Sequence, residues 1–142
     1  MSDFNLKVKS SVLNALLAAV GVLSLSFTIL ENLENAMVVL TGIAFITASI
    51  FGWFFSGWYK LIPGERFQYE PYVATVIISF PSALTSGLLY MGAMAISSGS
   101  IPILEAIMAG TIGGLMGAVF VLPISLILGA ALGRYLINGQ KL

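Results

Sequence analysis

Residues 103–137 read ILEAIMAGTIGGLMGAVFVLPISLILGAALGRYLI. The only charges in this run are Glu105 and Arg134, 29 positions apart. At helical rise that separation is about 44 Å, and a bilayer with its headgroups is roughly 40–45 Å thick. One long helix with a charge in each interface accounts for the whole run, so no fifth span is needed. Three further apolar runs precede it, at residues 11–30, 36–58 and 72–96. Each is long enough to cross about 30 Å of hydrocarbon. The runs are continuous rather than alternating, which argues against a β-barrel. Connectors as short as 31–35 and 97–102 force consecutive helices to lie side by side and antiparallel. The expected fold is an all-α integral membrane protein, an up-down-up-down four-transmembrane-helix bundle forming a single domain over residues 1–142.

Composition agrees with the spans. Of the 142 residues, 58% are hydrophobic and 8% are charged, against about 25% charged in soluble domains. A soluble globular fold, a disordered chain and a nucleic-acid binder are excluded, the last because it needs a basic face. The chain has no Cys and no His. Disulfides, thiolate chemistry, imidazole acid–base catalysis and Cys/His zinc sites are therefore excluded. No metal and no cofactor is expected.

All six basic residues fall on one side of a four-span chain. Lys7 and Lys9 precede the first span, Lys60 and Arg66 lie between the second and third, and Arg134 and Lys141 close the fourth. Basic residues stay on the cytoplasmic side, so both termini are expected inside a cell (inner or plasma) membrane, with Glu31, Glu34 and Glu105 outside. Nine of the sixteen aromatic residues lie between Phe51 and Tyr72, an interfacial girdle on the same edge. The apolar run after Lys9 is longer than a signal-peptide core and lacks an A-x-A-like end, so it reads as a retained span.

Helices in lipid need close packing to associate, and small residues permit it. The last span places Ala106, Gly110, Gly113 and Gly117 at intervals of four, three and four. Gly110/Gly114 and Gly113/Gly117 form overlapping GxxxG pairs, followed by Gly129/Gly133. The second span carries Ala44, Ala48, Gly52 and Ser56 at every fourth position. These are the expected packing residues, within the chain first and between copies second.

No Asp, Glu, Lys or Arg lies in mid-span, which argues against proton- or cation-coupled transport. The most polar helix face belongs to the third span, where Thr75, Ser79, Ser82 and Ser86 recur at four, three and four. Such a ladder either lines a path for water or a small neutral solute, or bonds back to i−4 carbonyls and across to neighbours as packing glue. The glue reading is the expectation. Pro81 and Pro123 lie within spans, each removing a backbone donor, and are candidate kinks. Asn14 is expected to bond to a neighbouring helix. Glu31, Glu34 and Glu105 could gather a cation, but read better as solvated carboxylates. Lys60, Glu65, Arg66 and Glu70 alternate in sign and read as a solvated strap.

Packing chemistry without reactive chemistry gives the first functional expectation. It is a non-enzymatic accessory, assembly or protective subunit that acts through helix contacts, with the lipid bilayer and either a second copy or a larger membrane protein as partners. The alternative is a small oligomeric channel or permease for a neutral or small solute, using the hydroxyl face of the third span and the proline-interrupted helices.

Overall fold

The structure, a computed structural model, describes residues 2–29, 34–59 and 70–139. It is all-helical over these residues, with four helices long and apolar enough to cross a membrane. They are α1 (Asp3–Ile29), α2 (Glu34–Phe54), α3 (Glu70–Ser98) and α4 (Ile103–Asn138), and one turn of 3-10 helix, Ser56–Tyr59, follows α2.

The helix ends have local causes. Ser2 caps α1 by accepting a hydrogen bond from the Asn5 amide at 3.3 Å, and Asp3 places a carboxylate at the positive end of the dipole. Helix therefore begins well before the apolar run at residue 11. At the other end of the first hairpin, the Ser56 hydroxyl donates to the Trp53 carbonyl at 2.9 Å. The α-helix ends there, and the last residues of the expected span 36–58 form the 3-10 turn instead. Gly99 closes α3 with φ +62°, a left-handed position that glycine takes without a Cβ penalty. Both α3 and α4 run unbroken through Pro81 and Pro123.

The helices form two antiparallel hairpins. In the first, the Ser10 hydroxyl donates to the Gly52 carbonyl at 2.7 Å, and the Ser11 hydroxyl to the Ser49 carbonyl at 2.9 Å. A Cβ at Gly52 would lie 2.9 Å from the Ser10 carbonyl oxygen, so only glycine lets α1 and α2 cross this closely. In the second hairpin, α3 and α4 touch backbone to backbone where Gly87 meets Gly110 and Gly114. The buried stripe of α4 runs Ala106, Gly110, Gly114, Ala118, Ser125, Gly129, Gly133. Its small residues recur at four or seven positions, which keeps one narrow face against α3.

Between hairpins, α2 meets α3 and α1 meets α4, while α2 and α4 make no contact among the described residues. The apolar cluster of Leu6, Tyr59, Ala74, Ile78 and Leu136 closes the end of the bundle that carries the chain termini. At the same end Phe4 packs edge-on against Trp53 with ring centroids 5.8 Å apart, and the Lys7 ammonium sits 5.8 Å from the Trp53 ring. The outward faces are apolar: Val38, Ile103 and Ile127 are each more than 70% exposed. In water such a surface would aggregate; in hydrocarbon it costs nothing.

Candidate functional site: a cavity between the hairpins

The two hairpins are tight within themselves and loose against each other. Where α1 and α2 face α3 and α4 in mid-bundle, they present small residues, with Ala18, Ala44, Ala48 and Ala83 among them. Small side chains cannot fill the space between four helices, and a cavity of about 490 Å³ remains. All four helices line it. On α3 the lining extends from Ile78 to Met91, about 20 Å at helical rise. The volume falls within the range of about 300–1,000 Å³ typical of small-molecule sites.

The cavity has a graded lining. The apolar cluster around Tyr59 lies beyond it on the side of the termini. Tyr59 is 1% exposed, and its phenol is hydrogen-bonded to Asn14 of α1 and Thr75 of α3. Burial pushes the phenol pKa above its ordinary value of 10.0, and the two hydrogen bonds pull the other way. The lining on this side includes Asn14, Ser79, Ser82 and Ser125. Toward the opposite end the lining becomes Met37, Leu40, Tyr90 and Met91, with Val22, Met116 and Phe120 between. Among the described residues, none that lines it is Asp, Glu, Lys or Arg.

The hydroxyls expected to share one role divide into three. Thr75 does not reach the cavity; it is wholly buried, with its side chain against Gly129. Ser82 and Ser86 line the cavity, but Thr47 of α2 ties them down. Its hydroxyl lies 2.7 Å from that of Ser86 and 3.2 Å from that of Ser82. Ser86 also donates to the Ser82 carbonyl at 2.7 Å, one turn back. Ser79 lines the cavity, and among the described residues its hydroxyl has no hydrogen-bond partner. Thr47 carries little signal in the sequence, since no polar residue lies three or four positions from it on α2.

The small residues divide as well. Gly110 and Gly114 pack on the α3 backbone, Gly129 on Thr75, and Gly52 on α1. Gly133 is buried, and Ala44 and Ala48 are buried along the cavity wall. Gly113 and Gly117 line the cavity, with nothing within 4 Å of the place a Cβ would take. Pro81 is half-buried and Pro123 exposed. Asn14 donates to the Ser10 carbonyl on its own helix at 2.8 Å. Glu105 is exposed, while Glu31 and the segment carrying Lys60, Glu65 and Arg66 lie outside the described residues.

Comparison of the chain with protein-family models, curated proteins and solved structures gives no match.

Proposed function

We propose that the chain is a non-catalytic cell-membrane protein that binds and passes an uncharged solute through the cavity between its hairpins, in the manner of a small permease. The observation that carries this reading is the cavity itself. It is walled by all four helices, bordered at one end by the Tyr59 cluster, and lined by Ser79, Ser82 and Ser86. An uncharged solute follows from the lining, since a charge brought there would lose its hydration without gaining a counter-charge. Both termini belong on the cytoplasmic side by the six-to-zero basic bias. The Tyr59 cluster would then lie on the cytoplasmic side of the cavity.

One observation favours the contact-protein reading. Thr47 occupies the hydroxyls of Ser82 and Ser86 and so uses part of the ladder as glue between α2 and α3. On that reading the protein is an accessory or assembly subunit, or an oligomer of identical chains, and the cavity is filled by lipid or by a partner.

Single-cysteine labelling separates the two, because the native chain has no Cys. Thiol reagents act on the thiolate, which needs water. Ser79→Cys and Gly117→Cys should label in membranes, and Thr75→Cys should not. Protection at Ser79 and Gly117 alike would sink the solute reading and leave the contact reading.

A further inference from the structure

The cavity is unevenly furnished along its length, and this bears on what it holds. Thr75 of α3 meets Gly129 of α4. One helical turn further along each of these antiparallel helices lie Ser79 and Ser125, which are therefore at the same depth. Both line the cavity. Ser125 is 2% exposed and Ser79 is half-buried, and among the described residues neither hydroxyl is tied to a neighbouring side chain, so both are open to the cavity they line. A hydroxyl open to the cavity can both donate to and accept from whatever the cavity holds. These two residues lie at the same depth, at the end of the cavity near the termini, whereas Ser82 and Ser86 are engaged by Thr47.

The opposite half of the cavity has a different chemistry. Met37, Leu40 and Met91 line it, with Met116 near the middle. Methionine is flexible and polarizable and adapts to apolar shapes. Among the described residues, the lining has no ionised side chain to balance a charged ligand.

We propose, on the solute reading above, that the cavity binds a neutral amphiphile: a molecule with an apolar body and one uncharged hydrogen-bonding head, such as an alcohol. Its head sits on the Ser79 and Ser125 hydroxyls, and its body lies along the methionine-lined half. The two serines supply hydrogen bonds in both directions, because a serine hydroxyl donates and accepts. A carboxylate or an ammonium is rejected by desolvation without compensation. A pure alkane fits the body but makes no bond to the two hydroxyls.

The test uses the full chain in lipid nanodiscs, with one cysteine placed at Ala18 on the cavity wall, away from the two serines. Labelling of Ala18→Cys is timed with 1-tetradecanol, tetradecanoate, tetradecyltrimethylammonium or tetradecane added, and separately with 1-butanol from the water. Tetradecanol should slow labelling about tenfold more than tetradecane, the factor one net hydrogen bond gives. The two charged amphiphiles should not exceed the alkane. A Ser79→Ala/Ser125→Ala pair should reduce the alcohol to the level of the alkane, while Ser79→Thr/Ser125→Thr should restore it. Slowing by butanol as well as tetradecanol would identify water as the ligand's source, and slowing by tetradecanol alone would identify the bilayer. Equal protection by alkane and alcohol, or by a charged amphiphile, would overturn the assignment of a neutral head while leaving the cavity reading intact. If Ala18→Cys is unreactive without any addition while Ser100→Cys reacts, the cavity is closed to solutes and the reading beneath the proposal fails with it.

Discussion

Gly87 and Gly110 face each other across the α3–α4 hairpin so closely that neither position has room for a methyl group. A Cβ on Gly87 would lie 2.5 Å from the Gly110 carbonyl oxygen, and one on Gly110 would lie 2.9 Å from that of Gly87. The opposing atoms are backbone, so no side chain can swing aside. Gly87→Leu or Gly110→Leu should therefore force the helices apart and cost about 1–3 kcal/mol, the usual range for overpacking. Gly113→Leu, with open space at its Cβ, should leave stability nearly unchanged and narrow the cavity instead. Unfolding of the reconstituted variants in a denaturing detergent measures the difference. Equal losses at Gly87 and Gly113 would contradict this packing.

Tyr59 gives the protein an alkaline limit. Its pKa in the folded chain is raised by burial above the ordinary value of 10.0. The stability contributed by keeping the phenol protonated is complete below pH 10 and is lost as pH rises through the folded value. Wild-type stability should thus fall from about pH 10 upward more steeply than that of Tyr59→Phe. The variant should also be weaker at neutral pH by about 0.5–1.5 kcal/mol, since Asn14 and Thr75 lose a hydrogen-bond partner. Parallel pH profiles for the two proteins would show that the phenol is not held as described.

Thr41 is a position where the chain can be improved. Its hydroxyl is buried and has no hydrogen-bond partner. Thr41→Val has nearly the same shape and removes the unpaired group, so it should stabilise the bundle by about 1 kcal/mol. A loss of stability or of function on this substitution would mean that the hydroxyl has a partner in the membrane, either a water or a bound molecule.

Reporter fusions check the orientation. Fusions after Gly139 and within Ser97–Ser100 should report opposite sides of the membrane, with the first cytoplasmic. A shared side would contradict four spans, and an inverted result would contradict the placement of the Tyr59 cluster toward the cytoplasm.

The four spans were legible because hydrocarbon thickness sets a length that continuous apolar runs must meet, as Ile103–Ile137 does. The start of α1 was not, since a capped polar turn before Lys7 has no apolar signature. The turn that brings Tyr59 inward was hidden inside an apolar run for the converse reason: hydropathy cannot separate α-helix from 3-10 helix. Among the glycines, Gly110/Gly114 and Gly113/Gly117 are equivalent as GxxxG pairs, and only the position of α3 decides which pair packs. The hydroxyl face of α3 was visible at helical spacing, but its division among Thr47, Tyr59 and the cavity depends on neighbours far away in the chain. The cavity left no mark in the sequence. It comes from a mismatch between faces of four helices, each of which reads as an ordinary packing face.

The division into two hairpins also bears on how the chain is assembled. Ser10 finds Gly52, and Gly87 finds Gly110, through short excursions of chain, and closing a short loop costs little entropy. Each pair of helices completes its closest contacts without the other, so the first hairpin has within itself what it needs to close before α4 is made. Bringing the halves together is then a late docking of two preformed parts, and the room left between them is a property of that last step.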